Sequence, residues 1–482
     1  MKPINIGGHT SYRQFVSDGI NKLYSSTDAI PQSTRMIIKK FRRLDLSRAD
    51  VLMQDKYSIF GPKPRLPSCM LRSLLLSIAF KFTSIPSWVN AMRVSPLYAI
   101  LSGFPPDDTP GVGTFYDFIG RLWDFPSDNL KDHIQPLPAK LKKPKVKGQK
   151  ADPVEKESVA DLVKRLSEVT FSIGEEAYAT LFTLFKDLFI DESVRLGVID
   201  PRSMRISGDG TPVVTSHRLR SHHACDCIKK GIFNCTCDRY FSQPDCNVGW
   251  DSSRDLFYVG YDLYVLTDTS NDLPLFPLLN PASKHDSHAF CEAYFRFKSY
   301  LPNLKASQLL LDSAHDAMAI YNLCKDDSIT PFIDLNQGNA KKTVDYHGVT
   351  IGPDGIPVCP IGKKMKFNGN DLQRQYAKYK CPCMNSYGKN ITCTCETPCS
   401  SAKYGRTCSI PLATNIRLYN TPGRDSDEWN SIYNSRTASE RSNKREKIDY
   451  LLESGKHRSS KMWYVRTYLI MMMQHLDSWP DV

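Results

Sequence analysis

The residues with the clearest chemical potential lie in the stretch IYNSRTASERSNKREK, positions 432–447. Written as a helix, it sets Arg436, Glu440, Lys444 and Lys447 at offsets of 3, 7, 11 and 14 residues from Tyr433, and at about 100° per residue all five fall within a narrow arc. One face then carries an aromatic ring, a carboxylate and three cations. Between Tyr433 and Lys447 the sole apolar residue is Ala438, so the helix is not expected to pack an ordinary apolar stripe on a core. Two aspartates stand where predicted strands end, Asp209 in ISGDGT and Asp312 in LLLDSAHD. Each has a plain explanation by itself, because Asp-Gly is a common turn and an Asp before a helix is often a cap.

Of the 15 cysteines, most fall in two clusters. The first holds Cys225, Cys227, Cys235, Cys237 and Cys246, preceded by His222 and His223; the second holds Cys381, Cys383, Cys393, Cys395, Cys399 and Cys408, with Cys359 upstream. Cys-x-Cys units separated by a polar loop suit tetrahedral Zn²⁺ with thiolate ligands. Two structural zinc sites are therefore expected, with Cys225, Cys227, Cys235 and Cys237 in one and four of the six from Cys381 to Cys408 in the other. All-sulfur sites leave no open position for catalysis.

The elements that must position these groups follow from periodicity. Residues 1–135 read as a helical domain, expected to bind DNA: Ser68 can cap a helix through Phe80, Ser95-Pro96 opens one that stops at Gly103, and Thr114 can cap FYDFIGRLW. A lysine-rich linker follows (136–157), with six lysines and no acid in LPAKLKKPKVKGQK. Helical periodicity returns over 158–190. Strands are then expected at 203–210, 256–268, 273–280, 307–312 and 329–335, with helices at 285–301 and 314–324, which is an α/β mixed sheet flanked by helices. Residues 158–340 would form the first part of this core, with a Cys-rich loop at 222–246. Residues 341–424 lose all pattern and read as a Cys-rich insertion, and 425–482 return to helix, with Asp425-Ser-Asp-Glu428 resembling a capping box and Gly455 a stop.

The net charge of +12 over 482 residues favours a polyanionic partner. The apolar-rich segments 71–80 and 463–473 are too short or too interrupted to cross a bilayer, so no membrane partner is expected. With no secretory signal evident at the start, the cysteines are expected to be reduced or metal-bound.

Tyr433, two residues, Arg436, three residues, Glu440, six residues, Lys447 resembles the Y-(2)-R-(3)-E-(6)-K signature of bacterial insertion-sequence DDE transposases. Asp209 and Asp312 stand where that family places its first two carboxylates, 103 positions apart and with 128 more to Glu440. The resemblance implies a ribonuclease-H-like catalytic core. It implies Asp209, Asp312 and Glu440 as catalytic ligands of Mg²⁺ (or Mn²⁺), and Tyr433, Arg436 and Lys447 as contacts to DNA. The implied activity is transposition: cleavage at insertion-sequence ends and transfer of the 3′ ends to target DNA by two-metal catalysis. Partners would be double-stranded DNA, as terminal repeats and target, and a second copy of the chain when assembled on DNA. The expected location is the cytoplasm of a bacterium or archaeon, at the nucleoid. The alternative is a DNA-binding protein or nuclease of the same fold without strand transfer.

Overall fold

The computed structural model describes residues 8–58, 60–61, 63–130, 157–216, 222–223, 226–232, 239–240, 243–336, 344–387, 390–455 and 457–480. Its centre is a six-stranded mixed sheet built from β1 (Met204–Val214), β2 (Asn247–Asp251), β3 (Leu256–Asp268), β4 (Leu273–Pro281), β5 (Ala306–Leu311) and β6 (Thr330–Ile333). The long strand β3 lies antiparallel to β1 along one edge, while its other edge is shared by β2 near its start and β4 along the rest. On the far side of β1, β5 and then β6 join in parallel. The order across the sheet is thus β4, β3, β1, β5, β6, with β2 extending the β3 edge.

Parallel connections need crossovers, and both are helical here. The helix Asp286–Tyr300 links β4 to β5, and the helix Met318–Asp326 links β5 to β6. Strand β3 is buried from Tyr258 to Asp268 and β4 from Leu273 to Asn280, as expected of strands covered on both faces. The covering elements include the helix Ser460–Ser478, buried over most of its length, which packs against β4 and against the front-end helix Pro67–Ala79. A helix apolar on all sides is stable only when enclosed. One apolar core runs from Tyr12 in the first helix to Trp479 at the end of the last. Among the described residues no helix is long and apolar enough to cross a membrane.

The front end is helical as expected, but two helix starts differ. Pro67 occupies the first helical position, and Ser68 instead binds Asp50 through its N–H (2.8 Å) and hydroxyl (2.9 Å). Another helix begins at Val112 with Gly111 as its cap, ahead of Thr114. Gly103 does end its helix, in the left-handed conformation that spares glycine a Cβ clash.

Two further expectations need correction. Strand β1 does not turn at Asp209-Gly210 but continues to Val214, because β3 offers ladder partners from Ile206 to Val214. Residues 344–419 are not patternless. They form two three-stranded sheets and a hairpin around a small core of Val349, Ile351, Met365, Ala377, Tyr379 and Ile410. Strands of 2 to 6 residues separated by turn residues leave no periodicity to read. Polar ties fasten this module to the sheet: Arg417 clamps the buried Asp316 at 2.6 and 2.5 Å, and Arg424 donates to the carbonyl of Ile333 at 2.5 Å.

Candidate active site

Asp209 and Asp312 are brought side by side by the parallel pairing of β1 with β5. Ser207 pairs with Leu310, and each aspartate stands two positions beyond that pair. Gly208 and Gly210 flank Asp209 for a packing reason. A Cβ on Gly208 would lie 2.4 Å from the Tyr264 hydroxyl, and one on Gly210 would lie 2.8 and 2.9 Å from the Asp262 oxygens and 3.0 Å from Oδ1 of Asp286. Only glycine lets β3 and the start of the 286–300 helix approach this closely.

Asp312 is fixed by its neighbours. Its Oδ1 accepts from the N–H of Ala314 at 3.0 Å and meets Nδ1 of His315 at 2.6 Å, while Nε2 of the fully buried His315 bonds the Tyr264 hydroxyl at 2.8 Å. Burial alone would raise the Asp312 carboxyl, but the hydrogen bond and charge of His315 and the Ala314 N–H together hold it below the usual range. Asp209 goes the other way. Burial first, then the charges of Asp312 and Asp286, push it up to about 7. Two neighbouring carboxylates with opposed shifts are what like charges sharing a site produce.

The third carboxylate comes from the segment after Ser426, whose hydroxyl caps it by accepting from the N–H of Trp429 at 3.1 Å. Ser426, not an Asp425-to-Glu428 box, is the cap. The segment passes through Asp427–Tyr433, a 3₁₀ turn, Thr437–Lys444 and a π-helical turn to Asp449; the chain turns away at Leu451, before Gly455. As expected it packs no apolar stripe, but it is packed all the same. Ala438, Ser439, Ser442, Asn443 and Glu446 are all buried, so close approach of small polar residues replaces the missing apolar stripe. Asn443, one turn beyond Glu440, donates to Oδ2 of Asp209 at 3.0 Å and ties the helix to β1.

The outward face carries the predicted residues in varied states. Glu440 is exposed and pairs with Arg436 at 2.6 Å. Tyr433 is not free: it stacks on Trp429 (4.7 Å, 18°) in a cluster with Leu310 and Phe332. Lys447 donates to the Pro212 carbonyl at 2.8 Å and lies 3.6 Å from Glu453. A groove of about 410 Å³ runs over the site, lined among others by Asp209, Asp262, Asp286, Glu440, Asn443 and Lys447. At its rim, Trp250 (50% exposed) meets Phe257 (60% exposed) edge to face at 4.7 Å. Asp262, Asp286, His315 and Asn443 were not singled out from the sequence. Asn443 carried a readable signal, since it sits three residues from Glu440 on one helix, and Asp262 carried another, as a charge inside an apolar strand.

Among the described residues, no group of three or more His, Cys, Asp or Glu side chains stands ready to hold a metal ion. The acidic groove nonetheless has the chemistry for one: a set of hard oxygen donors, an orphaned Oδ2 on buried Asp262, and a cradle over Gly210 that a Cβ would fill. In the first cysteine cluster Cys225, Cys235 and Cys237 lie outside the described residues, and Cys246 contacts the Gln243 carbonyl. In the second, contact with Cys395, aided by Lys363 and Cys381, holds the Cys383 thiol below its usual range. Cys408 sits in the module's apolar core, where burial pushes its thiol up. The Cys393 side chain lies outside the description, and Cys399 is half-buried. Compared with known proteins, the chain matches no family model, no curated protein and no solved structure.

Proposed function

We propose that the chain is a Mg²⁺-dependent DNA transposase of the DDE type with the Y-R-E-K signature, built on a ribonuclease-H-like core. One observation carries the reading. Asp209 and Asp312, 103 positions apart, stand at matching positions of parallel strands, and Glu440, 128 positions further on and within the signature, lines the same groove as Asp209, on the helix whose Asn443 donates to Asp209. Four strands paired antiparallel, followed by two that join in parallel through helical crossovers, support the core assignment.

Asp209, Asp312 and Glu440 are the residues that would hold the metal. Bound Mg²⁺ supplies charge neutralisation to the attacking and leaving oxygens of a phosphodiester. The chain's own groups prepare that site. His315 orients Asp312, Asn443 fixes Asp209, and the half-buried Arg436, released from Glu440, turns its fork to a DNA phosphate. Lys447 adds a point charge at the groove wall. The partners are element ends and target DNA, bound by a pair of chains at the nucleoid. Structural Zn²⁺ would take its thiolates from the Cys-rich module, where Cys383 contacts Cys381 and Cys395.

A labelled duplex carrying the DNA ends that flank the coding sequence tests the reading. In Mg²⁺ the protein should nick the ends and join them to a second duplex, and Asp209→Asn should do neither. Cleavage without joining would make the protein a nuclease. Equal product from both proteins would refute the site.

A further inference from the structure

Two acids border the three assigned above and have no part in that reading. Asp262 projects from β3, is 7% exposed, and its Oδ2 has no hydrogen-bond partner. Asp286 opens the 286–300 helix, yet it does not cap it: the ring Nδ1 of His285 accepts from the N–H of Ser287 at 3.3 Å. Among the described residues no hydrogen bond or ion pair reaches the Asp286 carboxylate. Both acids converge over Gly210, next to Asp209, with oxygens 2.8 to 3.0 Å from the point where a Cβ would stand.

The nearby cations are committed elsewhere. Lys284 pairs with Glu292 at 2.5 Å, Arg436 with Glu440 at 2.6 Å, and Lys447 bonds a backbone carbonyl. The buried Oδ2 of Asp262 has no donor, and the half-buried Asp286 has only the imidazoles of His315 and His285 acting on it at a distance, so this convergence suits a positive ligand. A compact set of carboxylate oxygens facing a groove is the donor set of a hard divalent cation.

We propose that Asp286 is a further cation ligand of the groove, positioned by Asp262, so that divalent metal is held by Asp209, Asp286, Asp312 and Glu440 together. The inference rests on the metal-dependent reading of the site and adds to it a ligand outside the signature. It also assigns a role to Gly210: leaving open the space in which the Asp262 and Asp286 oxygens face the ion.

Mn²⁺ titration of the full chain without DNA, followed by the electron paramagnetic resonance signal of free Mn²⁺, tests this apart from catalysis. Asp286→Asn should weaken binding by at least about tenfold, and Asp262→Asn by roughly 10- to 100-fold as a supporting group. Gly210→Ala, which changes no charge, should also weaken it, with circular dichroism confirming that each variant folds. Should Gly210→Ala not fold, Asp286→Glu, which keeps the charge and shifts it by one methylene, takes its place and should also bind less tightly. If Asp286→Asn binds as wild type while Asp209→Asn does not, the proposal falls and the three-carboxylate reading stands. If wild type itself binds no Mn²⁺, both fall.

Discussion

Residues 344–419 and residues 427–449 are joined by a short connector that includes Arg424, and both are too polar to announce a core, but they obtain burial by different routes. The first stretch builds its own, pressing Val349, Tyr379 and Ile410 between short strands and fastening itself to the sheet through Arg417 and Arg424. The second borrows burial from a larger body. It slides Ser439, Ser442 and Asn443 against β1 and β3, and sets Glu446 beside Gln474 of the last helix. A polar sequence is therefore no guarantee of a solvated one. The borrowed route leaves the outward face of the helix free for chemistry, whereas the self-built module spends its side chains on holding itself together.

The largest effect should separate the two faces of the borrowed helix. Glu440 is exposed and, among the described residues, pairs with Arg436 alone, so Glu440→Gln should leave the thermal midpoint unchanged while end cleavage falls by about 10³ or more, the scale on which loss of an essential electrostatic group acts. Single-turnover cleavage and calorimetry on the same preparation measure both. A variant that melts earlier and cleaves normally would place Glu440 in the fold and not in the reaction.

The inward face should respond to pH. Burial pushes the Glu446 carboxyl up to about 8 from an ordinary 4.5. Between those values the folded state holds a proton that the unfolded state has released, so stability is greatest below pH 4.5 and declines as pH rises towards 8. The loss is on the order of 5 kcal/mol at most, at 1.36 kcal/mol per unit. Glu446→Gln should keep the contact with Gln474 and flatten this decline. Midpoints of unfolding at pH 5.5 and 8.5 for the two proteins give the comparison, and equal slopes would contradict the buried, neutral carboxyl.

The self-built module should fail locally. Ile410 is fully buried in its small core, and Ile410→Ala should cost about 2–4 kcal/mol there. Because that core is separate from the one spanning Tyr12 to Trp479, hydrogen exchange should rise over 344–419 and stay slow in β1 and β3. Exchange rising throughout would show that the module and the sheet unfold as one.

The same contrast explains what the sequence made legible. The sheet strands β3, β4 and β5 are readable because long apolar runs leave few alternatives, and Asp209 and Asp312 stand out as charges at or beside such runs. The extent of β1 is not readable, because Asp209-Gly210 has the local chemistry of a turn and only pairing with β3 keeps it extended. Tyr433 reads as a candidate DNA contact, yet it stacks on Trp429, whose ring meets Phe332, and that arrangement depends on where β6 lies. Asp286 reads as a helix start, and its closeness to Asp262 follows from a glycine two elements away. Nothing local in 344–419 distinguishes its strands from loops.

The smallest effect concerns the two cations of the signature, which the structure holds differently. Arg436 lies 5.9 Å over the Tyr433 ring and pairs with Glu440, and among the described residues its side chain makes no bond to the backbone, so engagement of Glu440 elsewhere frees its guanidinium without breaking such a tie. Lys447 is held by the Pro212 carbonyl at 2.8 Å and by Glu453 at 3.6 Å, and must give these up to reach a phosphate. Each phosphate contact steepens the fall of affinity with salt by about one unit of log–log slope. Arg436→Ala should therefore flatten the salt dependence of end-DNA binding by about one unit, and Lys447→Ala by less. Fluorescence anisotropy across a salt series measures both. Equal slopes for Arg436→Ala and wild type would mean that Arg436 serves only as the partner of Glu440, and that the outward face is tuned for the carboxylate alone.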